Sequence, residues 1–132
     1  MTRFAATSSE NRIDLVEDAI VAHRERQSPY AEFTTDPSDD DIELGHGAPW
    51  VQYFDATLAL DCTDYELDHL KSLCDEFPSM TVDELVEPEE AEGTHARITA
   101  RTDDERVAQF VDRLFADVYG RPDDYRLWVV GV

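Results

Sequence analysis

WVQYFDATLALDCTDYELDHL, residues 50–70, decides how the chain is read. Its first thirteen residues alternate, with Phe54, Ala56, Leu58 and Leu60 on one face and Tyr53, Asp55, Thr57 and Asp61 on the other. That period of two predicts one strand over 50–62. Thr63 followed by Glu66 is a capping box, in which the hydroxyl accepts from a first-turn N–H while the carboxylate reaches back to the cap's own N–H. Leu67, Leu70, Cys74 and Phe77 continue at helical spacing until Pro78 stops the run.

The same sentence recurs further along. THARITAR, 94–101, alternates with Ala96, Ile98 and Ala100 inward and His95, Arg97, Thr99 and Arg101 outward. Thr102 and Glu105 then predict a second capping box, and Val107, Phe110, Val111, Leu114 and Val118 an amphipathic helix ended by Gly120 and Pro122. The phase after the two caps differs by one residue, since Leu67 lies four beyond Thr63 and Val107 five beyond Thr102. The echo is therefore a shared plan rather than a demonstrated duplication.

MTVDELV (80–86) is a poorer strand, EPEEAEG (87–93) an acidic turn, and YRLWVVGV (125–132) a closing strand. The expected order is β-α-β-β-α-β. This resembles the ferredoxin-like split βαβ plan, which implies an α+β domain with a four-stranded antiparallel sheet and two helices on one face. Residues 11–26, with Ile13, Val16 and Ile20 on one stripe, predict an additional N-terminal helix. TTDPSDDDIELGHGAP (34–49) reads as an acidic loop with a short extended piece around Ile42 to Leu44. The expected division is an N-terminal helix and arm, 1–49, and a ferredoxin-like domain, 50–132.

Thirty-one acids face ten arginines and the single Lys71, a formal charge of −20 on 132 residues. Self-repulsion of that size destabilises a compact chain in dilute buffer, and it fades at 1 M salt, where the Debye length is about 3 Å. The composition resembles the soluble proteins of halophilic archaea, which implies a cytosol of molar salt and an acidic surface shared by most proteins in it. Net charge then says little about partners. The N-terminus lacks a signal-peptide core and no stretch has the roughly 20 apolar residues of a membrane span, so a cytoplasmic protein is expected, with no membrane partner.

Cys62 and Cys74 form neither a secretory framework nor a zinc spacing. A strand end and a position three helical turns later lie roughly 16 Å apart, too far for a disulfide, so both are expected as free, buried small hydrophobes. His46 sits in GHG near Asp39, Asp40 and Asp41 without any metal-ligand spacing, and His23 and His69 read as surface histidines. No nucleophile elbow, phosphate loop or cofactor motif is present in the sequence, so no cofactor is expected. The strand order is also that of RNA-recognition modules, but the outward positions of the 94–101 strand are not aromatic and no nucleic acid is expected.

The sheet face without helices is where function should lie. It is expected to carry Tyr53, Asp55, Asp61, His95, Arg97 and Arg101, either as cross-strand pairs worth about 0–1 kcal/mol each or as a site for a small anion. Trp128, on an apolar terminal edge strand, is a candidate contact anchor, or else it packs under the helices. The expected function is a non-catalytic binding or assembly module that self-associates or holds a small anionic ligand. The alternative is a small-molecule enzyme with His95 as general base, Asp55 orienting it and Arg97 holding an anion.

Overall fold

The stretch 50–62 is two strands. In the computed structural model, which describes residues 5–45, 47–89 and 93–131, β3 (Trp50–Phe54) turns back at Asp55 and Ala56 into β4 (Thr57–Cys62). Asp55 and Ala56 both have positive φ, 47° and 56°, the backbone that a two-residue hairpin turn requires. The turn pairs Tyr53 with Leu58, so the inward set before it is Val51 and Tyr53, and after it Leu58, Leu60 and Cys62.

The remaining elements are β1 (Ala5–Ala6), α1 (Ser9–Arg26), β2 (Ala31–Thr35), α2 (Asp39–Glu43), α3 (Asp64–Glu76), β5 (Met80–Val86), β6 (Thr94–Ala100), α4 (Asp104–Arg113) and β7 (Leu127–Gly131). A π-helical segment, Leu114–Val118, runs on from α4. The piece expected to be extended near Ile42 is thus helical: Ser38 caps it, its hydroxyl accepting from the Asp41 N–H while the Asp41 carboxylate accepts from the Ser38 N–H.

All described strands join one antiparallel sheet in the order β1-β7-β2-β3-β4-β6-β5. The α+β class is as read, and β4-α3-β5 closes around β6 as a split crossover should. The four-stranded ferredoxin-like sheet is not formed, because β2 and β3 stand between β7 and β4. Ala31 and Phe33 of β2 and Val16, Ala19 and Ile20 of α1 are buried in the same core as Leu60, Ile98 and Phe110. The boundary drawn at residue 49 therefore falls inside one sheet and one core.

The helices α1, α3 and α4 cover one sheet face. Inward strand residues are buried and their neighbours are half-buried or exposed, as in the alternation of β6. Nor is the terminal strand an edge, since β7 lies between β1 and β2. Among the described residues the edges are β1 and β5, the latter bulged between Val82 and Glu84 and carrying Asp83 and Glu84. Both devices discourage edge-to-edge pairing.

One cap also moves. The Thr63 box forms, with Thr63 N–H donating to Glu66 and Glu66 N–H to the Thr63 hydroxyl. At the second helix the N-cap is Asp103, which accepts from the Arg106 N–H at 2.8 Å, and not Thr102. Val107 is then four beyond its cap, as Leu67 is beyond Thr63, and the phase difference disappears. Asp103→Ala is expected to cost about 1 kcal/mol and Thr102→Ala under about 0.5 kcal/mol, read from urea midpoints. Equal losses would return the cap to Thr102.

Candidate functional site

On the face opposite the helices, Thr34 of β2 stands directly between Trp128 of β7 and Trp50 of β3. The Trp128 indole N–H donates to Asp36 at 2.9 Å, and the Arg126 guanidinium lies 5.5 Å from its ring centre. Trp128 is therefore on the uncovered face, while its neighbour Leu127 goes into the core. Further across the sheet, the Trp50 ring is tilted against His95 at 6.3 Å. His95 pairs across the strands with Asp61, Nδ1 to Oδ1 2.8 Å. A carboxylate only accepts, so His95 Nδ1 carries the proton of that bond.

The other residues chosen from the sequence scatter. Tyr53 faces inward, buried, its ring meeting His23 edge-on at 6.0 Å, because the hairpin turn reverses the parity of β3. Asp55 is part of that turn, beyond Thr57, which itself lies about 13 Å from Asp61 along β4 at about 3.3 Å per residue. Arg97 faces Glu84 across β5, 4.0 Å apart and both about half exposed, a contact worth about 0–1 kcal/mol. Arg101 is exposed just beyond β6. His95, Asp55 and Arg97 thus do not converge, and the carboxylate beside His95 is Asp61.

A second feature lies at the end of the sheet where β3 begins and β4 ends. A cleft of about 350 Å³ is lined by Trp50, Asp61, Cys62, Glu66, Tyr119 and Arg121, with Asp41 and the chain from Gly47 to Pro49 completing its wall. The Tyr119 hydroxyl donates to the Asp61 carbonyl at 2.6 Å, and Arg121 Nη2 donates to Asp41 at 2.6 Å. The π segment places these two residues: Tyr119 N–H bonds to Leu114 O and Arg121 N–H to Phe115 O, so the chain leaves the helix over a widened last turn.

Electrostatics in the cleft follow from burial among acids. Burial pushes the Cys62 thiol up to about 12, with Glu66 and Asp61 adding to the shift, so Cys62 is an un-ionised thiol at neutral pH. Burial, again with nearby acids, raises the Tyr119 hydroxyl well above its ordinary range. Burial alone would raise the Asp41 carboxyl too, but the Ser38 N–H and the Arg121 guanidinium together hold it below the usual carboxylate value. Both cysteines are free, Cys62 buried and Cys74 half-buried.

Sequence reading missed this cleft, because its walls come from four separate segments and nothing local marks a π turn. His46 lies outside the described residues. Among the described residues no three His, Cys, Asp or Glu side chains are grouped to hold a metal ion, and no helix is long and apolar enough to cross a membrane.

These features define an α+β protein with a single antiparallel sheet, helices layered on one face and a tryptophan-bearing face opposite. The chain belongs to DUF7975, a family of unknown function whose profile matches residues 1–132. No curated protein and no solved structure matches it.

Proposed function

We propose that the protein is a non-catalytic assembly module of a salt-rich cytosol, pairing with a second copy through the uncovered sheet face. The row Trp128, Thr34, Trp50 carries this reading: two large indoles flank a short side chain on the sheet surface opposite α1, α3 and α4. Aromatic anchors beside small residues are what a packed interface core uses. Charge supports the same choice of face. Over the whole chain acids outnumber cations nearly three to one, thirty-one to eleven. Here Arg97 and Arg126 stand among Glu32, Asp36, Asp61 and Glu84, two cations to four acids, so two copies meet on a face less acid-rich than the chain as a whole.

The enzyme alternative keeps no matching geometry, since Asp55 is remote from His95 and Arg97 is engaged by Glu84. Sedimentation at about 1 M KCl tests the assembly reading. A dimer is expected at about 100 μM, and Trp128→Asp, which sets two like charges near the two-fold axis, is expected to raise its dissociation constant at least about 100-fold with the circular dichroism unchanged. A wild-type monomer at that concentration overturns the reading.

A further inference from the structure

We propose that the cleft between α2, the start of α3 and the π segment binds a small zwitterion, its carboxylate on Arg121 and its ammonium against Trp50, with Asp61 and Glu66 as counter-ions. This goes beyond the assembly reading and shares only Trp50 and Asp61 with it.

Arg121 is the first reason. Its side chain is 11% exposed, yet among the described residues the one side-chain acceptor its five N–H groups meet is Asp41, at Nη2. Nε is buried with no partner among the described residues. A buried guanidinium with spare donors costs free energy unless acceptors reach it, and the cleft it lines is where an acceptor would enter.

The opposite wall asks for the opposite charge. Glu66 spends Oε1 on the Thr63 N–H, and Asp61 spends Oδ1 on His95, so among the described residues each has its other oxygen uncommitted. Trp50 offers an indole in the same cleft, and an ammonium on an indole face is held by the ring quadrupole.

Neither single charge suits both walls. A simple anion drawn to Arg121 meets the carboxylates of Asp41, Asp61 and Glu66. A simple cation leaves the guanidinium as it was. A zwitterion answers both and adds no net charge to a chain already at −20. About 350 Å³ is near the lower limit of ligand pockets, roughly 300 Å³, which fits a guest of amino-acid size.

The chain contains two tryptophans, so its ¹⁵N spectrum has two indole signals, and Trp128 serves as an internal control for Trp50. Glycine, L-leucine and L-phenylalanine are titrated to about 10 mM at about 1 M KCl, with isoamylamine and 4-methylpentanoate as the singly charged halves of leucine. At least one amino acid is expected to move the Trp50 indole and the Arg121 Nε–H with a Kd of about 1 mM or below, and each half of leucine to bind at least about tenfold more weakly than leucine. Arg121→Lys, which keeps the charge beside Asp41, should weaken the amino acid about tenfold and leave the amine unchanged. Glu66→Gln, which preserves the capping box, should weaken the amino acid and not the carboxylate. The proposal is overturned if no amino acid shifts either signal, if one half binds as well as leucine, or if Trp128 moves as much as Trp50. The dimer is judged by sedimentation of the wild type and of Trp128→Asp, so either idea can fail without the other.

Discussion

Asp112→Ala is expected to lower the stability of the fold by about 3–5 kcal/mol, the largest loss among the polar residues of this chain. Asp112 and Arg12 are both buried, with side chains 9% and 3% exposed. Asp112 Oδ1 accepts from Arg12 Nε at 2.6 Å and from the Tyr125 hydroxyl at 3.0 Å, while Oδ2 accepts from the Ser9 hydroxyl at 2.8 Å. Arg12 Nη1 reaches on to the carbonyls of Thr7 and Tyr125, and the Tyr125 ring lies 3.9 Å from the guanidinium carbon. This network ties the start of α1 to the end of α4 and to the approach to β7. Removing the carboxylate leaves a guanidinium inside the protein without its counter-ion, and that desolvation is the penalty. Replacing both partners together, as Arg12→Met with Asp112→Leu, removes the charge and the need for it. The double variant is therefore expected to be more stable than Asp112→Ala, a coupling that a double-mutant cycle in urea at about 1 M KCl would measure through midpoints at constant slope. A loss below about 1 kcal/mol for Asp112→Ala would show that water reaches Arg12.

That network also shows where sequence reading stops. Arg12 and Asp112 are one hundred residues apart, and each sits in an ordinary polar stretch, so nothing local says that they meet. What was legible is what local chemistry fixes. The Thr63 and Glu66 spacing announced a helix start, the alternation of 94–100 announced β6 with His95 and Arg97 outward, and the Gly120–Pro122 stop was read correctly up to the π turn. The hairpin at Asp55 and Ala56 was hidden because positive φ at both positions normally calls for Asn or Gly, and the sequence offers neither. Reading one strand there reversed the parity of Tyr53 and put Asp55 beside His95. β2 was hidden for another reason: AEFTT has one large apolar residue, Phe33, and its identity as a strand comes from β3 and β7 on either side. Without β2 and β3 as separate strands, the ferredoxin-like order was the natural assembly of what remained.

The same two limits explain the site. The outward placement of His95 and Arg97 was legible because strand parity is a local property, whereas Trp128 was chosen for an edge strand that is not an edge, and Arg121, Tyr119 and Trp50 were missed because a cleft is not local. Arg121 and Tyr119 are placed by a π turn invisible to a 3.6-residue period, and Trp50 was taken only as the first residue of a strand.

Gly93→Ala is the second change with a large expected effect, and Gly120→Ala is its control. Both glycines have positive φ, +99° and +65°, so both substitutions carry a conformational cost. At Gly120 that is the whole cost, because a Cβ there meets nothing within 4 Å and φ lies in the left-handed region an L-residue can enter, for about 1–2 kcal/mol. At Gly93 the angle lies beyond that region, and the new Cβ would sit 2.8 Å from the Cys62 carbonyl oxygen. That atom is backbone, so no side-chain rotation relieves the contact. Cys62 pairs with Thr94, its side chain is buried, and Thr63 after it caps α3, so the 62–63 peptide has little freedom to retreat. Gly93→Ala is therefore expected to cost about 3 kcal/mol, at least about 1 kcal/mol more than Gly120→Ala. The strain should appear next door, as faster amide exchange in the first turn of α3, where the Thr63 box and the cleft carboxylate Glu66 sit. Equal urea midpoints for the two variants would mean that the end of β4 yields readily, and a wall that yields could not hold Asp61 and Glu66 at fixed positions in the cleft.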